Sequence, residues 1–443
     1  MSKPAYQALY TELLAKSRHN DTPNSPVTRA ALRALIDQTR NDLQTCSEST
    51  IRNQISRLLE LQESLLAPIR TLPSDVLIEI FRIVIETAGI PGITYTWKVG
   101  DPTVKLSGYI FILTWICFWW RNEALSYSAF WSRIAVHNHT SWSVPPRTEV
   151  GAEVGAFLNE CILRSGVSAP MSIKICSTGN KSTPLAVIAV LVAQAHRWRH
   201  VVLLSTSFHW PGMFPSKPSP TRFPLLEDLS CQIYTDSGID SVQNPILECH
   251  PPLQKLELHK LSESYVDIIA SWNLKSLKVG CYSGVSFARL LLMCPCLEFL
   301  QVRAFTSTGN SDANQVTCQS SLLALAVGPD LGDDCMFSNG PWECVTLPKL
   351  TKLDIDLLDV SDHEHWTALL SELKEVIKRS ECTLQRVNLF KDDRWPTSVL
   401  EMVEKFLQDL PVRLEGCFID EVPWQEWKAN DMAGAYDSDN DSE

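Results

Sequence analysis

Histidine and cysteine residues at short spacing are the parts of this sequence that could bind a metal ion. His363 and His365 lie two positions apart where a helix is predicted to begin, and Cys294 and Cys296 flank a proline. A zinc-binding helix needs its histidines four positions apart, so that both side chains lie on one face. No second Cys or His pair follows Cys294 and Cys296 at zinc spacing. We therefore predict helix capping for the histidines, core positions for the cysteines, and no metal site.

Motifs for nucleophilic or nucleotide chemistry are missing from the sequence. It has no Gly-x-Ser-x-Gly elbow, no P-loop and no Gly-x-Gly-x-x-Gly turn. His137 and His139 have no carboxylate close to them in the sequence. We therefore predict no catalytic residue, no cofactor and no enzymatic activity. An enzyme assembled from residues that converge only in the folded chain stays open as an alternative.

The composition is typical of a globular protein with more than one domain. The chain has 443 residues, of which 45% are hydrophobic and 20% are charged, and its formal net charge is −12. Nucleic-acid binding relies on Lys and Arg to neutralise phosphates, so this charge argues against it. The longest apolar run, 109–120, has twelve residues. A membrane-spanning helix needs roughly 20 residues, so we assign the run to the core and predict no membrane association.

The N-terminus and the cysteines indicate the compartment. No apolar run follows the first four residues, so no secretory signal is predicted. The fourteen cysteines show no CxxC pair and no regular spacing. Outside an oxidising compartment such cysteines stay reduced and fill small core positions. We therefore expect a protein of the cytoplasm or nucleus, with a disordered acidic tail over 426–443.

The first 66 residues are predicted to be helical. A short helix is expected over 5–15, and from 27 to 66 no Pro or Gly interrupts the chain. Apolar residues repeat there at three-to-four spacing on two seams that are out of register by one residue. The seam residues are Leu32, Ile36, Leu43 and Cys46, then Ile51, Ile55, Leu58 and Leu65, with polar Thr39 and Gln62 at seam positions. The pattern predicts one long amphipathic helix, which either packs on its own chain or forms a coiled coil with a second copy.

Two blocks of sequence within 67–137 are typical of short helices that pack on each other. The first block, 69–81, places Pro73 and Asp75 where they suit a first helical turn. Its apolar residues recur at three-to-four spacing and form a wide stripe. A helix this short is marginal by itself, so the stripe must pack against another element. The second block, 116–134, is rich in Trp and Phe and predicts the partner helix.

The paired blocks resemble an F-box, the small helical domain that docks a protein onto the Skp-family adaptor of cullin–RING ubiquitin ligases. The family pattern begins with Leu-Pro, an acidic residue and an aliphatic turn ending in Ile-Phe, and it ends with a Val-Cys…Trp-Arg block and a Leu-Trp. The matching positions are Leu72, Pro73, Asp75, Val76, Leu77, Ile80, Phe81, Ile116, Cys117, Trp120, Arg121, Ala124, Phe130 and Trp131. Phe118 and Trp119 stand where family members have basic residues, and the segment 88–108 between the blocks is long.

The resemblance implies an all-helical module that binds a Skp-family adaptor and, through it, a cullin–RING ligase. Carried over position by position, the adaptor-binding residues are Leu72, Pro73, Val76, Leu77, Ile80, Phe81, Ile116, Cys117, Trp120 and Trp131. Some of these residues must form the core of the module itself, and the sequence leaves open which.

A short apolar strand pattern repeats between 150 and 425. The form Leu-x-x-Leu-x-Leu, or a close variant, starts at 253, 274, 297, 322, 350 and 384, after a partial match at 226. Successive starts lie 21 to 28 residues apart, with a last step of 34, which is near the spacing of leucine-rich repeats. Two further strands are expected at 171–175 and 198–203. Helices are expected at 153–165, 184–196, 262–271, 284–294, 363–380 and 397–410.

The alternation of strand and helix predicts parallel strand pairing and an irregular leucine-rich-repeat solenoid. An open α/β sheet of another kind is the alternative. The sequence therefore predicts an α/β chain with an N-terminal long helix (1–66), a small all-helical F-box-like module (67–137), a solenoid (150–425) and a tail (426–443).

The predicted function is that of a substrate receptor in a cullin–RING ubiquitin ligase. The F-box-like module would bind the adaptor, and the solenoid would bind a target protein whose identity the sequence does not indicate. The alternative is a protein-interaction scaffold that keeps the F-box-like fold but does not bind the adaptor, which the aromatic residues at 118 and 119 favour.

Overall fold

Eighteen stretches of the chain are described in the computed structural model. They are residues 3–19, 25–87, 93–98, 105–139, 148–178, 185–205, 222–233, 246–270, 272–284, 287–307, 318–319, 321–328, 342, 345–357, 363–391, 397–410, 416–419 and 422–423. The chain divides into two units, 1–176 with 183–190 and 177–182 with 191–443. The predicted tail, 426–443, lies outside the described residues.

Three helices form the N-terminal part of the first unit, namely α1 (Lys3–His19), α2 (Pro26–Thr45) and α3 (Ser49–Leu65). The prediction of one long helix over 27–66 is wrong, because the backbone is extended at Cys46 (φ −78°, ψ 120°) and at Glu48 (φ −82°, ψ 121°). Two seams out of register do not share one face of a single straight helix. The break allows α2 and α3 to pack against each other, and α1 packs on α3.

The apolar seams are buried within the same chain. Leu13, Ile55, Leu58 and Leu65 form a buried cluster. Residues packed against this cluster are Leu9, Tyr10, Leu32, Leu43, Cys46, Ile51 and Leu61. Arg40 of α2 also pairs with Glu63 of α3 at 2.6 Å. The seams therefore pack within the chain, and a coiled coil with a second copy stays a prediction.

Helices and strands alternate in the rest of the first unit. The helices are α4 (Ser74–Thr87), α5 (Tyr109–Ile116), α6 (Phe118–Ser126) and α7 (Thr148–Arg164), with 3-10 turns at Pro68–Thr71 and Ser128–Trp131. The strands are β1 (Ile93–Lys98), β2 (Lys105–Ser107), β3 (Arg133–His139) and β4 (Met171–Thr178), in the order β4-β3-β1-β2. Strand β1 runs parallel to β3 and antiparallel to β2.

The expectation that 67–137 is all-helical is wrong, because β1, β2 and most of β3 fall inside it. The reason is visible in β1, where Ile93, Tyr95 and Trp97 alternate with Thr94, Thr96 and Lys98. β-Branched and aromatic residues at a period of two favour a strand. Tyr95 is in register with Val136 of β3, so this insertion joins a sheet instead of a helical bundle.

A mostly parallel sheet forms the second unit. Most of helix α8 (Leu185–Val192) belongs to the first unit, and a 3-10 turn at Ala195–Arg197 precedes the strands of the second unit. The strands are β5 (Trp198–Ser205), β6 (Asp228–Ile233), β7 (Lys255–Ser262), β8 (Ser276–Gly284), β9 (Phe299–Ser307), β11 (Ala324–Val327), β13 (Lys352–Leu357), β14 (Arg386–Lys391), β15 (Gly416–Ile419) and β16 (Val422–Pro423), paired in that order. All neighbours are parallel except β15 and β16.

Helices separate several of these strands, as the sequence pattern predicts. They are α9 (Glu263–Ile269), α10 (Phe287–Met293), α11 (His363–Ser380) and α12 (Thr397–Asp409). A second, two-stranded parallel sheet pairs β10 (Cys318–Gln319) with β12 (Val345–Thr346). The coarse prediction, an α/β chain whose parallel strands alternate with helices, is confirmed.

The strand repeats are in register, so equivalent apolar residues form rows across the sheet. One row joins Val201, Leu229, Leu256, Leu277, Leu300, Leu325, Leu353 and Val387, and all eight are buried. A second row lies two positions further along each strand and includes Leu258, Val279, Val302 and Ile355. Because side chains alternate between the two faces of a strand, both rows lie on the same face. That face carries the core of the second unit.

Most described cysteines occupy core positions, as predicted. Eleven are free thiols and seven of these are buried. The prediction that Cys294 and Cys296 both lie in the core is wrong for Cys296, which is exposed in the turn between α10 and β9. No helix within the described stretches has both the length and the apolar character needed to cross a membrane.

Candidate protein-docking site

The first sequence block forms α4, and its start follows the predicted pattern. Ser74 is the first helical residue, and the backbone N–H of Leu77 donates to the carbonyl of Pro73 at 3.0 Å. Asp75 lies in the first turn, where a carboxylate interacts favourably with the helix dipole. Pro73 and Ser74 therefore set the point at which the backbone turns into α4.

Glu123 of α6 connects the two sequence blocks. Its carboxylate accepts a hydrogen bond from Ser74 Oγ at 2.8 Å and another from Trp119 Nε1 at 3.2 Å. A carboxylate that accepts two hydrogen bonds holds both donors in a defined geometry. The Leu-Pro end of the first block is thereby fixed to the helix of the second block.

The two blocks also share one aromatic core. The rings of Phe81 and Trp120 lie 4.9 Å apart between centroids, and Phe130 lies 6.4 Å from Phe81. The indole N–H of Trp131 donates to the carbonyl of Ala124 at 3.0 Å. Aromatic pairs at these distances add to the stabilisation from burial. Residues some forty positions apart in sequence thus pack as one unit.

The second block forms α6 and the 3-10 turn at Ser128–Trp131, so the single helix predicted for it is confirmed. A separate helix, α5, precedes it in the apolar run 109–120. The break between α5 and α6 is at Cys117, whose backbone is extended (φ −157°, ψ 169°) and whose Sγ accepts from the backbone N–H of Trp120 at 3.5 Å. Cys117 therefore occupies the N-cap of α6, where an acceptor satisfies one of the free N–H groups at the helix start. No proline or glycine marks this break in the sequence.

The expectation that the apolar run 109–120 lies in the core is wrong in part. Ile110 and Leu113 are buried, but Trp115 is 74% exposed, Ile116 is 54% exposed and Phe118 is 44% exposed. An apolar run of this length covers every side of a helix, and only one side contacts the rest of the unit. Exposed large apolar side chains near one another are characteristic of docking sites.

The ten residues that the resemblance assigns to adaptor binding differ in their exposure to solvent. Those exposed are Pro73, Val76 and Ile116; those half-buried are Leu72, Ile80, Cys117 and Trp120; those buried are Leu77, Phe81 and Trp131. The seven residues with exposed surface are available for direct contact. The three buried residues can affect docking only through the packing of the module.

The exposed side of α4 also carries a row of ion pairs. Arg82 pairs with Glu79 at 2.6 Å and with Glu86, and Glu86 also pairs with Arg133 at 3.0 Å. The hydrogen bond and the charge of Glu79 raise the pKa of Arg82, and the hydrogen bond from Arg82 lowers the pKa of Glu79. These exposed pairs contribute little to stability. They leave Arg82 fully engaged with carboxylates of its own chain.

A groove of about 900 Å³ lies between α1 and α3 on one side and α5 and α6 on the other. Its lining residues are Tyr10, Leu14, Arg57, Glu60, Leu61, Ser64, Arg70, Thr114, Trp115, Ile116, Cys117, Phe118 and Arg121. Ile116 and Cys117 belong to the predicted adaptor-binding set, but the other lining residues were not predicted. Trp115 and Phe118 could have been suspected from their position beside Ile116 in the sequence. Nothing in the sequence indicates that Arg57 of α3 approaches them.

No family model matches this chain, and no curated protein shows significant similarity to it. The candidate function therefore depends on the chemistry of these surfaces.

In the second unit, a network of polar side chains lies on the face of the sheet opposite the core rows. Asp354 accepts from Lys352 Nζ at 2.8 Å and from Asn388 Nδ2 at 2.5 Å, and Asn388 Oδ1 accepts from Arg386 Nε at 2.6 Å. The guanidinium of Arg386 lies 4.3 Å above the ring of Phe418. Asp354 and Asn388 are buried, whereas Arg386 is exposed and Lys352 is half-buried. The buried pair therefore holds the two basic side chains in place on this face.

In the described stretches of the chain, no group of three or more His, Cys, Asp or Glu side chains lies close enough together to bind a metal ion. Helix α11 begins at His363, at the predicted position. The capping role expected for His363 and His365 stays a prediction, since these side chains lie outside the described ones.

Proposed function

We propose that residues 67–137 form an F-box-like module, interrupted by strands, that docks this chain onto a Skp-family adaptor of a cullin–RING ubiquitin ligase. In this proposal the second unit is an irregular leucine-rich solenoid that binds a target protein. The chain itself performs no chemistry. It places the target at high effective concentration near the ubiquitin-loaded enzyme that the ligase supplies.

One observation carries the proposal. The two blocks that resemble an F-box are far apart in the sequence, yet Phe81 of the first packs on Trp120 of the second with ring centroids 4.9 Å apart. The Leu-Pro end is tied to the second block through Ser74 and Glu123. Had the two blocks lain apart, the resemblance would have had no structural basis.

The exposure of individual residues further supports an interface on this module. Val76 is 41% exposed, although its neighbour Leu77 is completely buried. Ile83 lies seven positions after Val76 on α4 and is also exposed, and residues at this spacing share one side of a helix. Large aliphatic side chains left exposed on one helix side favour a role in contacting another protein.

For the second unit, the support comes from strand register. Successive repeats place Leu256, Leu277 and Leu300 in register in one buried row, as a repeat architecture requires. On the opposite face, buried Asp354 and Asn388 hold the half-buried Lys352 and the exposed Arg386 in place. An ordered polar face on a rigid sheet suits a protein partner better than a small molecule, because it offers area and not an enclosed volume.

Co-purification with a Skp-type adaptor tests the proposal. We expect the wild-type chain, co-expressed with the adaptor, to form a stable complex, and we expect Val76→Lys to weaken that complex at least about tenfold because it places a charge in an apolar interface. Leu163→Lys is the matched control, since Leu163 is an exposed aliphatic residue of α7 outside both blocks. Circular dichroism checks that both variants are folded.

Failure of the folded wild-type chain to bind the adaptor contradicts the proposal. The protein would then fit the alternative, a scaffold with an F-box-like fold and no ligase role. The specific observation in favour of that alternative is at 118 and 119, where aromatic side chains replace the basic residues of the family. Trp119 donates its indole N–H to Glu123, so this residue helps to hold the module together. Titration of the purified chain with the adaptor separates the two functions.

A further inference from the structure

We propose that the groove between α1 and α3 on one side and α5 and α6 on the other accepts an acidic amphipathic helix of the adaptor. The N-terminal helices would then be part of the docking interface instead of a separate element. This inference rests on the proposed function and extends it by naming the chemistry of the partner segment. It depends on the lining of the groove, on its charge and on its continuity with the module.

Part of the groove lining is apolar. Leu14 of α1, Leu61 of α3 and Ile116 of α5 contribute aliphatic surface, and Trp115 and Phe118 add two exposed aromatic rings. Tryptophan is among the residues that contribute most to protein–protein binding energy. Both walls are helices, and a groove between helices is a common receptor for the apolar face of another helix. A partner helix would present Leu, Ile or Phe at three-to-four spacing to these apolar side chains.

Three arginines also line the groove, namely Arg57, Arg70 and Arg121. Among the described lining residues, Glu60 is the one with an acidic side chain. This local excess of positive charge lies in a chain whose formal net charge is −12. A groove lined by both arginines and apolar side chains complements a helix that carries Asp or Glu beside its apolar face.

Two of these arginines are available for a partner. Within the described part of the chain, neither Arg57 nor Arg121 forms an ion pair, and both are exposed. By contrast, Arg40, Arg82 and Arg289 each pair with two carboxylates of their own chain. Guanidinium groups bind carboxylates bidentately, so Arg57 and Arg121 are suited to fix an acidic helix at two points.

The groove is continuous with the surface of the F-box-like module. Ile116 and Cys117 line the groove and also belong to the adaptor-binding set implied by the resemblance. A helix seated in the groove would therefore contact α1 and α3 together with the end of the second sequence block. This arrangement gives the helical segment before residue 67 a role in binding.

Binding measurements with groove variants test the inference. The probe is the purified Skp-type adaptor, titrated into the full-length chain by calorimetry. We expect the double variant Arg57→Glu, Arg121→Glu to bind at least about tenfold more weakly, because reversed charges repel an acidic helix. Arg52→Glu is the matched control, since Arg52 is an exposed arginine of α3 outside the groove. We expect the wild-type affinity to fall with added salt more steeply than that of the double variant.

A second pair of variants tests the apolar lining residues. Trp115→Ala should weaken adaptor binding, whereas Ile112→Ala should not, because Ile112 is exposed on the same helix but does not line the groove. A direct readout comes from the photo-crosslinker p-benzoylphenylalanine at position 14. We expect it to capture a peptide of the adaptor that contains Asp or Glu, and we expect the same group at position 15, outside the groove, to capture none.

The outcomes separate this inference from the proposed function. If the wild-type chain binds the adaptor and Val76→Lys weakens binding, but both groove variants bind like wild type, the inference is overturned and the proposed function stands. If the wild-type chain does not bind the adaptor, both are overturned. Crosslinking from position 14 only to a peptide without carboxylates also overturns the inference. Thermal denaturation of each variant identifies any that has lost its fold.

Discussion

Cys294 and Cys296 follow α10 and lie two positions apart, but their surroundings differ. Cys294 is buried, and burial raises the pKa of its thiol to about 12. Cys296 is exposed. The thiolate is the reactive form of cysteine, and a raised pKa means that Cys294 holds its proton at every pH well below 12. Burial and the raised pKa therefore both lower the reactivity of Cys294.

We predict that iodoacetamide at about pH 8 modifies Cys296 rapidly and leaves Cys294 unmodified in the folded chain. The rate at Cys294 should rise with pH towards about 12, or when the chain is unfolded. Tandem mass spectrometry of the peptide that contains both residues measures the two rates. In Cys296→Ser, that peptide should stay unlabelled. Rapid labelling of Cys294 in the folded variant would contradict the burial described for it.

At the scale of secondary-structure elements, α3 contains a polar residue in its core face. Gln62 is completely buried, and within the described part of the chain neither its Oε1 nor its Nε2 has a hydrogen-bond partner. A buried polar group without a partner costs stability. Its position on an apolar seam was evident in the sequence. Its burial against the helices of its own chain was not.

We predict that Gln62→Leu raises the free energy of unfolding by about 1–2 kcal/mol, because it removes an unsatisfied amide and keeps a similar volume. Gln44→Leu on the exposed side of α2 is the control, and we expect a change within about 0.5 kcal/mol. Urea denaturation followed by circular dichroism measures both. A clear loss of stability in Gln62→Leu would contradict the prediction, because it would show that the Gln62 amide stabilises the fold.

At the scale of the whole molecule, the in-register rows give the second unit its core. Leu277 is completely buried and lies between Leu256 and Leu300 on the neighbouring strands. Because Leu277 is in register with a buried residue on each side, its removal affects the packing of both neighbouring strands. Lys278 follows Leu277 on the same strand, and its side chain is exposed.

We predict that Leu277→Ala lowers the free energy of unfolding of the full chain by about 2–5 kcal/mol, as expected for a large-to-small change in a core. Lys278→Ala should have a small effect, because it leaves the buried row intact. Urea denaturation monitored by tryptophan fluorescence compares the two variants, since Trp272 and Trp342 are buried in the same unit. Equal effects of the two substitutions would contradict the assignment of the core face.

The sequence determined the order of elements in the second unit to a large degree. Apolar residues at a period of two placed strands near 256, 277, 300 and 353, and three-to-four spacing placed a helix at 363–380, where α11 is observed. Such patterns are local, and each element buries the face that its own residues define. The breaks at Cys46 and Cys117 carry no proline or glycine, so local patterns gave no sign of them.

Only the tertiary structure decided which residues of the candidate site can meet a partner. Leu77 and Val76 are adjacent and similar in type, but one is buried and the other exposed, because α4 turns one side to Trp120 and the aromatic core. Arg57 and Arg121 line one groove although 64 positions separate them. Exposure and charge environment depend on contacts between distant segments, and no spacing rule along the chain contains that information.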